Sequence, residues 1–266
     1  MNHRKVKALL LAGLLLLAGC AGGTTDAALP EDPQQNIDEV PYESPGQPEP
    51  EPPPQPEPNL MEVNLVQFQP VNPGDTIAVM ETSKGTIRIR LFPELAPRTV
   101  ENFVGLIEEG YYDGRNFHRV INDFMIQTGA LNPDGSGATS FFRDADGNPQ
   151  PFEDEFSYDL WHFRGALSMA NPGTRDSNMS QFFIVQNSEV PEQFIGQMRM
   201  IGYPESVIEK YQEHGGTPHL DGGHSVFGHV IEGMDVVDAI AGVPTGAGDR
   251  PLEEILIVSM TVETAQ

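Results

Sequence analysis

Eleven prolines fall between residues 30 and 60, many of them alternating with Glu or Gln, as in Gln47-Pro48-Glu49-Pro50-Glu51-Pro52. Proline fixes φ and removes a backbone donor, so this stretch can build neither a helix nor the interior of a sheet. It also lacks the apolar residues that would offset the entropy of ordering it. The segment reads as a semi-rigid, solvated spacer, which confines any fold to the chain beyond it. At about 3.1 Å per residue, positions 21–60 could span up to ~120 Å.

Ahead of the spacer, His3-Arg4-Lys5-Val6-Lys7 is basic and Ala8 to Ala18 is a run of Leu, Ala and Gly. That run is too short for a comfortable membrane span and has the length of the apolar part of an export signal. It ends in Leu17-Ala18-Gly19-Cys20, with small residues before the single cysteine of the 266-residue chain. This resembles the bacterial lipobox, in which the cysteine is diacylated and the chain is cut just before it. The resemblance implies a signal peptide at 1–19, a lipid (palmitate among its acyl groups) on Cys20, a linker at 20–63 and an extracytoplasmic, membrane-anchored lipoprotein. A plain secretory signal with an incidental cysteine is the alternative. One cysteine excludes an internal disulfide, so the exported part must be held by its core.

The 39 acidic residues outnumber the 15 basic ones, for a formal net charge of −24. No basic patch is visible, which argues against nucleic acid as a partner and against electrostatic adhesion to anionic lipid.

From residue 64 to residue 266 the pattern changes. Thr76 to Thr82 and Thr86 to Leu91 read as strands joined by Ser83-Lys84-Gly85. Ile87, Ile89 and Leu91 alternate with Arg88 and Arg90, which predicts one buried and one wet face. After Ala96-Pro97, the residues Val100, Phe103, Val104 and Ile107 share a helical face that Gly110 ends. Further short β-rich runs follow at Asn116–Val120, Phe124–Gly129, Ala166–Ala170, Gln181–Val185, Ser225–Val230 and Ile255–Val262, with a short helix at Glu232–Ala241. The count predicts a mainly β domain: a closed eight-stranded antiparallel barrel capped by two α-helices.

Three blocks within this region are specific. They are Phe117-His118-Arg119-Val120-Ile121 with Phe124-Met125-Ile126-Gln127-Thr128-Gly129; Gly165 to Asn171 with Ser180-Gln181-Phe182-Phe183-Ile184; and Leu220 to Gly228 with Glu232 to Val237. In order and spacing they resemble the signatures of the cyclophilin-type peptidyl-prolyl cis-trans isomerases, over roughly residues 75–263. The resemblance implies a cyclophilin-like barrel that acts on X-Pro segments of unfolded or folding exported proteins, as a monomer. Rotation about an amide breaks no bond to carbon, so neither nucleophile, metal nor cofactor is required.

By motif position, Arg119 is the fixed cation beside the rotating amide, and Gln127 holds that arginine and touches substrate. Phe124, Met125, Phe183 and Leu220 line the proline socket, with His224 at its rim. Ala170 and Asn171 pair with the main chain before the proline, Gln181 adds a side-chain contact, and His118 belongs to the same binding surface. His214, His219, His224 and His229 recur every five residues, a period that shares neither a helix nor a strand face, so no metal site is expected.

Two departures from the family pattern stand out. His219 occupies the place where many members carry Trp, which bears on cyclosporin binding rather than on isomerisation. Between Ile184 and His219 lie 34 residues where compact members have fewer than ten. Within this insert (about 187–218), Phe194, Ile195, Met198 and Ile201 form one helical stripe and Val207, Ile208 and Tyr211 another. Pro204 starts the second and Gly215-Gly216 stops it. The competing readings are a non-catalytic module that binds Pro-containing chains as a chaperone or adaptor, which the intact Arg119 disfavours, and a solute-capturing lipoprotein, which the β-rich pattern disfavours.

The lipid anchor is testable in cells. Labelled fatty acid should enter the wild-type protein, and Cys20→Ser should abolish the label and release the protein from membranes. Label retained in that variant would remove Cys20 as the attachment point.

Overall fold

The first hairpin forms where the alternation asks for it: in a computed structural model that describes residues 59–266, β1 (Thr76–Thr82) and β2 (Gly85–Leu91) pair antiparallel from Ile77–Arg90 to Thr82–Gly85. Residues 1–58, with the export signal, Cys20 and most of the spacer, lie outside the described residues. Gly85 closes the turn at φ 137°, a conformation that residues with a Cβ rarely adopt. Ile87, Ile89 and Leu91 are buried as expected. The opposite face is not uniformly wet. Arg88 meets Glu232 and Glu263 near the surface, but Arg90 is buried, 3.0 Å from Asp75 and donating to the carbonyls of Gln69 and Pro70. Alternation assigns faces; it does not say that the preceding segment folds back over one of them.

α1 (Pro97–Glu108) buries Val100, Phe103 and Ile107. Its first turn is capped from a distance, as the Glu155 carboxylate accepts from Arg98 N, Thr99 N and the Thr99 hydroxyl. A carboxylate there satisfies orphan amides and complements the helix dipole. Phe103 then meets Phe182 and Phe227 edge-on in the main core, at centroid distances of 5.2 and 5.1 Å.

The remaining elements are β3 (Arg119–Ile121), β4 (Met125–Thr128), β5 (Ala166–Met169), β6 (Phe182–Val185), α2 (Glu192–Met200), α3 (Glu205–His214), β7 (Val226–Glu232), α4 (Met234–Ala241) and β8 (Ile257–Thr264). The strands make one antiparallel sheet in the order β3-β4-β6-β5-β7-β2-β1-β8. The fold is therefore mainly β with eight strands, but the expectation of a closed barrel is corrected. β3 and β8 are the ends of the ladder and do not pair with each other. The chain just before each of them makes an isolated bridge, Asn116 to Leu256, with Phe117 N donating to Ile255 O at 2.9 Å and Ile257 N to Arg115 O at 2.8 Å. The sheet curls far enough for its edges to touch, and no further.

The insert builds its own small core. Ile195 and Met198 of α2 and Val207, Ile208 and Tyr211 of α3 pack on Trp161, Phe163 and Val190. Two members of the expected first stripe fall outside it: Ile201 is 73% exposed and Phe194 37%. α2 ends at Met200, so Ile201 lies past the last helical turn. Gly215 and Gly216 end α3 at φ 82° and 136°, and a Cβ on Gly216 would come within 2.4 Å of the His162 carbonyl. The segment ahead of β1 covers this core: Asn59 bridges Pro204, and Val63, Leu65 and Phe68 pack on the cluster.

Gln67 locks that segment in place. Its amide exchanges bonds with Trp161 N and O, at 2.8 and 3.0 Å, and its Nε2 lies 3.2 Å from His229 Nδ1. Burial lowers the His229 pKa from 6.5 to about 4, so the ring is neutral at pH 7 and Nδ1 can accept. The folded state refuses a proton that the unfolded chain takes up near pH 6.5, so this stabilisation is present above pH 6.5 and is lost as pH falls towards 4. The shift corresponds to roughly 3 kcal/mol. His229→Gln should melt lower at pH 7.5, yet lose less stability than wild type between pH 6.5 and 4. Parallel losses in the two proteins would show that His229 is not the group responsible.

Candidate functional site

Antiparallel pairing puts directly opposed residues on one face of a sheet. Arg119 of β3 opposes Gln127 of β4, Gln127 opposes Phe183 of β6, and Phe183 opposes Ser168 of β5. Met125 lies two residues from Gln127 and so points to the same side. This row forms the floor of a cavity of about 410 Å³ lined by Arg119, Met125, Gln127 and Phe183, together with Phe124, Ala170, Asn171, Leu220 and His224 from the adjoining loops. Nine of the residues expected from the sequence thus come together. The other two, His118 and Gln181, are not part of the lining; His118 directly precedes Arg119, and Gln181 is bonded to Gln127.

Met125 and Phe183 are 2% and 4% exposed, so the floor is apolar and nearly closed to water. His224 stands edge-on to the Phe183 ring at 5.5 Å and donates through Nδ1 to Met169 O at 3.0 Å. Burial lowers its pKa, so the rim imidazole is neutral at pH 7. Asn171 donates to Gly223 O, tying the two loops that flank the opening.

Among the described residues, Arg119 carries the only lining charge at this cavity. Its Nε lies 3.4 Å from Asp249 Oδ2, both side chains being about half exposed. Gln127, expected to hold this arginine, donates instead to Gln181 Oε1 at 3.1 Å, and Gln181 donates to the carbonyls of Gly135 and Gly137. His118 is buried against Gly135, where a Cβ would come within 2.7 Å of its ring. Its pKa falls to about 4, chiefly through burial and then through Arg250 and Arg119, so it adds no charge beside the guanidinium.

Beneath Phe183 runs a polar chain that the motifs did not announce. His162 stacks on the Phe183 ring at 6.0 Å. Its Nε2 is 2.9 Å from Ser168 Oγ and its Nδ1 is 2.7 Å from Asp221 Oδ1. The order Ser-His-Asp matches a hydrolytic relay, but Ser168 and His162 are 0% and 1% exposed, so no substrate carbonyl can reach the hydroxyl. The arrangement is a support, not a nucleophile. Ser168 and Asp221 sit inside matched blocks and could have been marked from sequence; His162 sits in an apolar run and Asp249 in a turn far from Arg119. Among the described residues, no group of three or more His, Cys, Asp or Glu gathers as a metal ion would need.

A family model described as cyclophilin type peptidyl-prolyl cis-trans isomerase/CLD matches residues 77–262. A Staphylococcus epidermidis protein named as a peptidyl-prolyl cis-trans isomerase is 49% identical over 185 residues, covering 70% of this chain and 90% of its own length. A similarly named Staphylococcus aureus protein is 47% identical over 193 residues, covering 73% and 94%. A Cryptosporidium parvum cyclophilin crystal structure superposes with a TM-score of 0.56 at 26% identity, over 72% of this chain and 99% of that one. A second crystal structure of that cyclophilin, obtained in the presence of the dipeptide Ala-Pro, gives 0.55. With the match running from β1 to β8, the chain belongs to the cyclophilin-type peptidyl-prolyl cis-trans isomerase family.

Proposed function

We propose that this isomerase acts outside the cytoplasm, tethered by a lipid on Cys20, and speeds the folding of exported proteins whose X-Pro bonds start in the wrong isomer. The reach of the Pro-rich spacer and the export signal support the location. The observation that carries the catalytic reading is one guanidinium, that of Arg119, at the edge of a small cavity floored by Met125 and Phe183.

An X-Pro bond rotates against a barrier near ~20 kcal/mol, because its C–N bond is partly double, and exchanges in ~10–100 s. Turnover in milliseconds asks for roughly 7 kcal/mol of stabilisation specific to the twisted amide. In that state the proline nitrogen regains a lone pair and the carbonyl loses its resonance partner. In this reading the proline ring sits on Phe183, Met125, Phe124 and Leu220, excluding water. Ala170 and Asn171 hold the preceding main chain, and Arg119 donates to the rotating group. A charged donor in a site already emptied of water needs no reorganisation as the bond twists. Gln127, fixed by Gln181, keeps one wall of the site in place.

The chain without its first 20 residues should accelerate isomerisation of an X-Pro peptide with no metal or cofactor added. Arg119→Ala should lower kcat/KM tenfold or more, as a charge-assisted contact contributes about 1.5–3 kcal/mol. Full activity in the variant would remove Arg119 from the mechanism. A wild type that binds the peptide without turning it over would favour the adaptor reading.

A further inference from the structure

The proline cavity does not end at Phe124. The other edge of that ring faces a second cavity, of about 260 Å³, between the barrel and the insert. The sheet register orders the two. Along β6, Gln181 lies beside Ala170, Phe183 opposes Gln127, Val185 opposes Met125, and Asn187 N donates to Phe124 O. A chain that pairs with Ala170 and Asn171 and seats its proline on Phe183 is therefore heading for Phe124 and the insert. At about 3.3 Å per residue, the second residue after the proline arrives there.

The chemistry of this second cavity is distinct. Phe124 and His219 stack at 5.7 Å and form one wall, and Phe194 of the insert, exposed as noted above, lines the other side. Asp123 and Glu189 also line it, both exposed. Among the described residues, no Lys or Arg lines the cavity and no ion pair involves either carboxylate. Thr217, also in the lining, is 1% exposed and its hydroxyl has no hydrogen-bond partner. Burial lowers the pKa of His219, which leaves its ring uncharged at pH 7. Aromatic walls with carboxylates beside them suit a long apolar stem that ends in a cation.

We infer that this cavity is a specificity subsite for an Arg or Lys side chain on the second residue after the proline of the client. The inference rests on the reading that the adjoining cavity takes the proline. It gives the insert a role beyond its own small core, and the exposed Phe194, which that core does not use, a partner. The chain's net charge of −24 favours the approach of a cationic client from any direction, so the test must separate a general field from a local site.

The experiment uses the chain without its first 20 residues and three peptides, Ala-Ala-Pro-Phe-X with X = Arg, Leu or Glu, in wild type and in the double variant Asp123→Asn, Glu189→Gln. Activities are compared as ratios within each protein, so a general loss of activity cancels. Wild type should prefer Arg over Glu by about tenfold in kcat/KM, with Leu between. The double variant should bring Arg and Leu together, and Phe194→Ala should weaken both relative to Glu. Equal rates for all three peptides in wild type would overturn the subsite and leave the isomerase reading intact, as would a preference for Leu over Arg. An Arg preference that survives the double variant would assign it to the overall field and also overturn the subsite. If wild type turns over none of the peptides, the isomerase reading fails instead, and the ratio of calorimetric Kd values for Arg and Glu then decides the subsite by the same criterion.

Discussion

One buried carboxylate ties the pocket, the sheet and the insert together. The Asp221 side chain is only 8% exposed, and it is surrounded by donors: His162 N and Nδ1 reach Oδ1, and the hydroxyls of Tyr203 and Tyr211 reach Oδ2. Each donor comes from a different requirement of the fold. His162 backs the Phe183 ring, Tyr211 belongs to α3, and Tyr203 stands in the turn between α2 and α3. A carboxylate accepts and cannot donate, so all four contacts share one polarity and depend on one group. Removing it would leave the buried Tyr211 hydroxyl and the buried His162 imidazole without their acceptor, while the half-buried Tyr203 hydroxyl would keep only Pro218 O, and each unsatisfied buried group costs about 1–3 kcal/mol. The floor of the proline cavity and the docking of the insert are thus coupled through a single residue, which itself follows the cavity-lining Leu220.

Local chemistry makes much of this legible in the sequence. The β1–β2 turn needed Gly85, α1 needed Pro97 at its start, and α3 runs between Pro204 and Gly215 because the first cannot continue a helix backwards and the second readily takes positive φ. The cavity was legible for a different reason. Its residues lie in short blocks whose order is fixed: the β3-β4-β6 register carries Arg119, Met125, Gln127 and Phe183 to one face, and the loops beside the strands supply the other five. What the sequence withheld depends on segments that meet from afar. Arg90 looked wet because nothing in β2 says that Gln69 and Pro70 will lie over it. The barrel looked closed because eight strands can close, but closure rests on whether residues 114–117 extend their pairing with 255–257 into β3 and β8, and they do not. His162 and Asp221 are 59 residues apart, and Arg119 and Asp249 are 130 apart. No periodicity reaches across such gaps.

The last of these pairs bears on the electrostatics of the proposed mechanism. A guanidinium that favours a twisted amide is useful only if its charge is not already spent. In an acidic chain a carboxylate near Arg119 is expected, and Asp249 is that carboxylate. Its geometry keeps the interaction weak. The contact is 3.4 Å, made through Nε alone, with side-chain exposures of 42% and 48%, and ion pairs in such wet settings contribute little. The Nη groups make no hydrogen bond among the described residues and remain available to an amide at the cavity edge. The neighbouring imidazole of His118 adds nothing to the field, because burial and two nearby arginines keep it neutral well below pH 7. Asp249 can therefore orient the arginine through Nε while its charge stays largely screened by water. As a proline ring displaces that water from the cavity side, the same guanidinium faces an amide in a drier setting, where a charged donor is worth more than it is at the open surface.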